Sequence, residues 1–279
     1  MPMTPGRAVI AVVFDFDETL APDSTSGFLA DVGIDPERFW ADEVHPLIEA
    51  GWDPVPSYLF RMTRRARDPA NRPITREALA DWGRRLKLYG GATRIFGRIR
   101  ERVAQSGKPV DVEFYLVSSG IGEILRHTKI AGEFQDIWAC DFLYDDDGTI
   151  VFPKNVVSFT DKTRYIFQVS KGIFGPASRG RPFAVNRAIP PDELRVPLDR
   201  MVVVGDGYTD IPCFSLVQKN GGFAIGVYDP HDEERWSRAW GFVRDRRVAN
   251  LHPSDYSIKS GLTNSLLMAV DAVAETIDA

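Results

Sequence analysis

The chain has 279 residues, with 34 basic and 39 acidic side chains and a formal net charge of −5. This length allows one large domain, or a core domain with a smaller companion. Because the net charge is small and negative, nothing global indicates nucleic acid or an anionic membrane as a partner. The two cysteines, Cys140 and Cys213, lie far apart without metal-ligand spacing, which favours reduced thiols in a cytoplasmic protein.

The first residues lack the charged start and the long apolar core of a secretory signal. The first apolar run is also too short to span a bilayer. The longest apolar helical candidate, residues 262–277, carries Asp271 and Glu275, which predicts an amphipathic helix. We therefore expect no membrane as a partner.

The first predicted element is a buried strand over residues 9–14. Six consecutive apolar residues are typical of a parallel strand that is buried on both faces. Asp15 and Asp17 follow directly, and Thr19 comes two residues later. An Asp-x-Asp pair can simply cap a strand and begin a turn. The alternative is that the strand delivers both carboxylates to a site, because desolvating them without a partner is costly.

Residues 22–90 differ in character, since tryptophan, arginine and proline recur there without a strand-like apolar run. We predict a helical insertion. Asp35 and Thr75 are placed to cap two of its helices. The candidate helices cover residues 36–50, 56–66 and 75–88.

Basic and aromatic side chains are frequent in this insertion. One helical face carries three arginines that either steer an anionic substrate or form a solvated face: Arg61, Arg64 and Arg65. Three aromatic residues either line a pocket or pack into the core: Trp40, Trp52 and Tyr58.

A second clear strand is predicted over residues 112–117, after a helix over 92–106. It leads to Ser118, Ser119 and Gly120 and then to a sequence that favours a helix start. A small polar loop between a strand and a helix N-terminus is an anion-binding arrangement, because free backbone N–H groups point to one spot. The same residues are also common in ordinary turns.

Residues 137–143 and 149–152 predict a β-hairpin. Its turn contains three adjacent aspartates that invite a metal assignment, but a solvated hairpin tip ending in Gly148 explains them better. A helix is predicted over residues 160–169. An excursion rich in arginine and proline, without periodicity, follows over residues 171–200.

Residues 201–205 repeat the design of the first strand, because apolar residues lead to Asp206 and then to Asp210. Two parallel, adjacent strands would bring these carboxylates close to Asp15, since ligands in open α/β sheets bind beyond the carboxyl ends of strands. Three carboxylates can coexist at one point only around a cation. An all-oxygen set is the preference of Mg²⁺, so we expect a magnesium ion as cofactor.

The remaining pattern consists of a helix over 210–219, a strand over 223–227 and a helix over 232–240. Strands and helices therefore alternate along the chain outside the insertion. This alternation predicts an α/β fold with a doubly wound parallel sheet and right-handed crossovers.

In this order the motifs resemble those of the haloacid dehalogenase-like (HAD) superfamily of phosphohydrolases. The four motifs match residues 15–20, residues 117–120, Lys162 and residues 205–210. The resemblance covers the core, from residue 7 to 20 and from 90 to 245. It implies a Rossmann-like α/β core domain of residues 1–21 and 91–279. As in members similar to phosphoserine phosphatase, a small helical cap domain would occupy residues 22–90.

The resemblance implies a division of roles among four aspartates. Asp15 would be the nucleophile and a metal ligand. Asp17 would be the general acid/base and would also lend its backbone carbonyl to the metal. Asp206 and Asp210 would hold Mg²⁺ directly or through water.

The resemblance also implies a set of phosphate-site residues: Thr19, which supports the first loop, Ser118, Ser119, Gly120 and Lys162. Lys154 is a rival for the third motif. We prefer Lys162 because it begins a predicted helix, although its separation from Asp206 is longer than usual in the family.

We therefore expect a Mg²⁺-dependent phosphatase that hydrolyses a small phosphorylated metabolite through an aspartyl-phosphate. Asp17 argues against dehalogenases, which lack the second acid of the first motif, and the ATP-driven pumps of the superfamily need membrane helices. A phosphomutase or phosphotransferase is the main alternative. A protein that binds phosphorylated ligands without turnover is the second. The sequence specifies neither the substrate nor the oligomeric state.

Overall fold

The centre of the protein is a mostly parallel sheet flanked by helices. The computed structural model describes residues 7–178, 180–229 and 233–277. Within these residues the sheet has seven strands, in the spatial order β4-β3-β2-β1-β5-β6-β7. The strands are β1 (Ala8–Phe14), β2 (Val110–Ile121), β3 (Asp136–Tyr144), β4 (Ile150–Asn155), β5 (Met201–Gly205), β6 (Phe223–Tyr228) and β7 (Asn250–Pro253).

Five of the six strand pairings are parallel, and β4 pairs with β3 in the antiparallel sense. The predicted doubly wound α/β fold is therefore confirmed. The helices are α1 (Ser24–Asp31), α2 (Pro36–Arg38), α3 (His45–Glu49), α4 (Pro54–Arg65), α5 (Arg76–Arg85), α6 (Ala92–Gln105), α7 (Gly122–Leu125), α8 (Asp161–Ser170), α9 (Ile211–Lys219), α10 (Glu233–Arg244) and α11 (Gly261–Thr276). None of these described helices has both the length and the apolar character that crossing a bilayer requires.

Strand β1 lies at the centre of the sheet, between β2 and β5. Its residues from Val9 to Phe14 are buried, as expected for a parallel strand covered on both faces. At its carboxyl end Phe14 pairs with Leu116 on one side and Val204 on the other. The chain runs from β1 to β2 and β3 on one side and later to β5, β6 and β7 on the other. The strand order therefore reverses beside β1, where α/β sheets form their binding crevice.

The helical insertion after β1 is present, with differences at its boundaries. Residues 22–90 form α1 to α5 and contribute no strand to the sheet. The helix predicted over 36–50 is α2 and α3 joined by a π-helical stretch, Phe39–Val44. Helix α1 was not predicted, although the Asp23 side chain caps it by accepting from the backbone N–H groups of Thr25 and Ser26. The division of the chain into core and cap domains stays a prediction.

The second strand is longer than predicted. Instead of stopping before Ser118, β2 continues to Ile121, and the expected helix is the single turn of α7. The extension results from pairing with β3. The register of this pairing shifts after Val117, and the two strands then pair again at Ile121, which lies opposite Cys140. The polar residues 118–120 therefore belong to an irregular strand end and not to a loop, and the predicted helix start follows at Gly122.

The predicted hairpin is present as β3 and β4, and it binds the insertion. The backbone N–H of Ile150 donates to the Ile74 carbonyl at 3.1 Å, and the N–H of Arg76 donates to the Gly148 carbonyl at 2.8 Å. At the hairpin tip, the Asp145 carboxylate forms an ion pair with Arg67 of the insertion. Asp145 thus holds two parts of the fold together.

The junction between the insertion and α6 depends on Gly91. This residue has φ of +80°, and a Cβ built on it would lie 2.1 Å from the Tyr256 carbonyl oxygen. Tyr256 in turn donates its backbone N–H to Gly90 at 2.7 Å and its hydroxyl to the Thr19 carbonyl at 3.0 Å. Glycine is required here both by the left-handed backbone and by the close approach of a second backbone segment.

We predict that Gly91→Ala lowers the free energy of unfolding by about 3 kcal/mol, because it combines left-handed strain with a backbone clash. Gly90→Ala is the matched control. Its new Cβ would lie 3.6 Å from the nearest atom, Asp255 Oδ1, which is an ordinary contact. Urea unfolding of both variants measures the difference, and equal losses would contradict this account of the junction.

Candidate active site

The carboxyl ends of β1 and β5 bring three aspartates together. Asp15 follows β1, Asp206 follows β5, and Asp210 lies one turn further on at the start of α9. One carboxylate oxygen from each lies within 4.8 Å of the others. The Asp15 backbone N–H donates to the Val204 carbonyl at 2.9 Å, which holds the two strand ends side by side. The convergence expected from the two acidic motifs is therefore present in the structure.

Lys162 is the cation among these carboxylates. It lies in the first turn of α8, its side chain is 1% exposed, and its Nζ is 3.0 Å from Asp15 Oδ2 and 2.7 Å from Asp210 Oδ1. Lys154, the rival considered from the sequence, lies exposed on β4. The structure therefore brings Lys162 to the aspartates.

One lysine does not balance the charge of three carboxylates, and the raised pKa values of two of them reflect the excess of negative charge. Burial, together with the charge of Asp15, raises the pKa of Asp210 to about 7 and raises that of Asp206 well above its usual range. Burial acts to lower the pKa of Lys162, but the charges of Asp15 and Asp210 outweigh it and the pKa is raised. The charge and the all-oxygen donors of Asp15, Asp206 and Asp210 fit a divalent cation.

Asp17 lies beside this cluster in a different environment. Its Oδ1 accepts the backbone N–H of Ser24 at 2.7 Å, and a Cβ built on Gly120 would lie 2.5 Å from its Oδ2. Its carboxylate is not one of the three clustered among the described residues. Burial, and secondarily the charge of Asp23, raises the pKa of Asp17 to about 8. The environment of Asp17 therefore favours the protonated form of its carboxyl group.

Two of the residues predicted to bind phosphate lie against the aspartates: Lys162 contacts Asp15 and Asp210, and Gly120 lies beside the Asp17 carboxyl group. Ser118 is buried, and its Oγ accepts the backbone N–H of Gly120 at 3.0 Å. Ser119 has a buried hydroxyl without a hydrogen-bond partner among the described residues. Thr19 is fully buried, and its carbonyl accepts the hydroxyl of Tyr256.

Residues 12–215 match the profile of the haloacid dehalogenase-like hydrolases. The chain belongs to this family. The sequence resemblance noted above is thereby confirmed at the level of the family, and the protein is a HAD hydrolase.

The relatives show how widely this architecture is shared. An uncharacterized protein of Borreliella burgdorferi is 26% identical over 93% of this chain and 95% of its own length. A HAD family hydrolase from Salmonella enterica serovar Typhi is 13% identical, with a TM-score of 0.60 over 96% of this chain and 74% of its own. A phosphoserine phosphatase from T. onnurineus is 14% identical, with a TM-score of 0.52 over 98% of both chains. At such low identity the two structural matches show a shared fold.

The insertion of this HAD hydrolase reaches the site through aromatic residues. The Tyr58 hydroxyl donates to the Ser119 carbonyl at 2.6 Å, and the Trp40 ring packs against Tyr58 at 5.7 Å between centroids. Trp52 is different, because it is 43% exposed and lies against Phe60. Of the three aromatic residues considered as pocket candidates, Tyr58 therefore contacts the site directly, and Trp40 contacts Tyr58.

The arginines of α4 are engaged within the insertion. Arg65 pairs with Glu43 and Asp68, and Arg61 donates to the Glu43 carbonyl at 2.9 Å. Arg64 is exposed. Because two of the three side chains are held by acidic or carbonyl neighbours, these arginines stabilise the insertion, and we assign them no role at the site.

Sequence reasoning missed two residues that shape the site. Ser24 holds Asp17 through its backbone N–H, and an Asp followed by Ser and Thr, a helix-capping pattern, is the signal that could have located α1. Glu18 has a φ of +59°, is buried, and accepts from the Asp23 N–H and the Tyr89 hydroxyl, both at 2.9 Å. No feature of the sequence distinguishes Glu18 from an ordinary loop residue.

We predict that Lys162→Met lowers the free energy of unfolding by about 3 kcal/mol at pH 8 without divalent cations, because Asp15 and Asp210 then lose their buried counter-charge. The loss should shrink at acid pH as the carboxylates take up protons. Lys154→Met is the control, with an expected change below about 0.5 kcal/mol. Denaturant unfolding of both variants measures these changes, and a larger loss of unfolding free energy in Lys154→Met than in Lys162→Met would refute the assignment of Lys162.

Proposed function

We propose that this HAD hydrolase is a Mg²⁺-dependent phosphatase that cleaves a small phosphomonoester through an aspartyl-phosphate on Asp15. One observation carries the proposal: Asp15 contacts Lys162 and lies in a cluster with two further carboxylates, while burial raises the pKa of the neighbouring Asp17 to about 8. This is a charged site with a nucleophile and a separate acid. The name of the phosphoserine phosphatase among its structural neighbours is consistent with a phosphomonoester substrate.

In the first half of the reaction, an Asp15 carboxylate oxygen attacks phosphorus in line with the leaving oxygen. A bond forms between Asp15 and phosphorus while the bond from phosphorus to the leaving alcohol breaks. Asp17 gives its proton to the leaving oxygen, so the product departs as a neutral alcohol. The Ser24 N–H keeps the Asp17 carboxyl in place for this transfer.

In the second half, water attacks the phosphorus of the aspartyl-phosphate. Asp17, now a carboxylate, takes a proton from this water, and the bond between phosphorus and Asp15 breaks. Inorganic phosphate leaves and both aspartates return to their starting protonation states. Lys162 and the donors of residues 118–120 stabilise the charge of the transferred group in both steps.

Asp15, Asp206 and Asp210 are the residues that would hold Mg²⁺, with the Asp17 carbonyl as a further donor. When bound there, Mg²⁺ supplies neutralisation of the charge on the phosphoryl oxygens. A small phosphorylated metabolite as substrate and a cytoplasmic location complete the proposal. Both cysteines are buried free thiols, which is consistent with a reducing compartment.

Phosphoryl transfer to another acceptor is the second candidate function. It uses the same first step, because Asp15 and Asp17 serve a mutase or transferase equally well. The two functions differ only in whether water or a second alcohol accepts the phosphoryl group from Asp15.

We predict Mg²⁺-dependent release of inorganic phosphate from at least one member of a phosphometabolite panel. Asp15→Asn should abolish it, because the amide cannot attack phosphorus. Asp146→Asn, at the exposed hairpin tip, is the control that should leave the rate unchanged. Circular dichroism establishes that both variants fold. Full activity of Asp15→Asn would rule out the covalent mechanism, and transfer without phosphate release would favour the second candidate.

We also predict that Asp17→Asn discriminates between leaving groups. A general acid contributes about 10²–10⁴-fold when the leaving oxygen is a poor leaving group. The variant should therefore lose much more activity on an alkyl phosphate than on p-nitrophenyl phosphate, whose leaving oxygen needs no proton. Steady-state kcat on both substrates tests this, and equal losses would show that Asp17 is not the acid.

A further inference from the structure

One buried hydroxyl of the insertion contacts the backbone of residues 118–120. Tyr58 lies on α4, is 6% exposed, and donates its hydroxyl to the Ser119 carbonyl at 2.6 Å across 61 residues of sequence. Burial raises the pKa of Tyr58 well above its ordinary value, so the hydroxyl stays protonated and remains a donor. This hydrogen bond is therefore a fixed connection between the insertion and the backbone of residues 118–120.

Because the peptide unit is rigid, the contact of Tyr58 with the Ser119 carbonyl also orients the N–H at the other end of the same peptide. The carbonyl of Ser119 and the N–H of Gly120 belong to one planar peptide, so they point in opposite directions. The Gly120 N–H donates to Ser118 Oγ at 3.0 Å, and Gly120 lies directly against the Asp17 carboxyl. When Tyr58 holds the carbonyl toward the insertion, the N–H is held toward Ser118 Oγ. Because Ser118 Oγ accepts this bond, the Ser118 hydroxyl keeps its own proton to donate.

We infer that Tyr58 is a positioning residue for phosphoryl transfer. Its hydroxyl fixes the peptide between Ser119 and Gly120, and through the Gly120 N–H this peptide fixes Ser118 Oγ, so that the Ser118 hydroxyl is aimed at the transferred phosphoryl group. The inference rests on the proposed function. Donors that are already oriented toward developing charge need no reorganisation during the reaction, and this is where their catalytic effect arises.

A second contact separates this role from simple attachment of the insertion. Asp53, which caps α4, accepts the Ser158 hydroxyl at 3.0 Å with both of its carboxylate oxygens. This contact also joins α4 to the core, but it ends on an exposed hydroxyl and touches none of residues 118–120. Removing it loosens the insertion without freeing the peptide.

The fold should survive loss of the Tyr58 hydroxyl. The thiol of Cys140 also lies 3.4 Å from the Ser119 carbonyl oxygen, so the carbonyl keeps a weak donor. The Tyr58 ring, which packs against Trp40, is retained in Tyr58→Phe. The variant therefore removes the orienting hydrogen bond and little else.

The test compares Tyr58→Phe with Ser158→Ala in the full chain with Mg²⁺. We expect Tyr58→Phe to lower kcat for p-nitrophenyl phosphate about tenfold. This loss is smaller than the roughly 10²–10³-fold decrease in kcat that follows complete removal of an oriented donor. Inhibition by orthovanadate, which mimics the transferred group, should weaken by the same factor, with KM nearly unchanged. Ser158→Ala should leave kcat and vanadate inhibition within twofold of wild type.

Three results would overturn the inference. Wild-type kcat and vanadate inhibition in Tyr58→Phe would show that the hydroxyl positions nothing. Equal losses in both variants would show that only attachment of the insertion matters. If wild type hydrolyses no substrate, the proposed function fails, and vanadate affinity measured by calorimetry tests Tyr58 alone. Weaker binding by Tyr58→Phe would then support the positioning role, whereas equal affinity, or no binding by wild type, would overturn it.

Discussion

The structure depends on the concentration of negative charge at one point between two parallel strands. Asp15, Asp206 and Asp210 are held within one cluster, and Lys162 is the buried cation that contacts two of them. Desolvating such a group is unfavourable unless the charges are compensated, so its position is defined by the partners that surround it. The buried strands β1 and β5 hold the carboxylates in defined positions, because each of these strands is paired with a neighbouring strand on both sides.

The same crowding divides the chemistry between two carboxyl groups that are only two residues apart. The Asp15 carboxylate points to Lys162. Asp17 points away, toward Ser24 and Gly120, where burial raises its pKa to about 8. The pleat and the turn after β1 thus direct the two side chains into different surroundings, which is the difference that the proposed nucleophile and acid require.

Much of this site could be predicted from the sequence, because its main residues lie at the ends of strongly apolar strands. The positions of Asp15, Asp206 and Lys162 follow from local patterns and the chemistry of the side chains. The contacts of Ser24 and Tyr58 could not be predicted, since they depend on how the insertion packs against the core. Strand β7 was missed because it is only four residues long, and the extension of β2 because it results from pairing with β3.

These missed contacts change the view of what residues 22–90 do. If the insertion only admitted or excluded substrates, the surroundings of Asp17 and of residues 118–120 would be complete without it. Instead, Asp17 is held by the N–H of Ser24, and the peptide of Ser119 is held by Tyr58. Both partners belong to the insertion, and in the proposed mechanism both touch groups that act on the phosphoryl oxygens. In that mechanism the core supplies the charges of the site and the insertion supplies their orientation, so the chemical step would require both parts of the chain in contact.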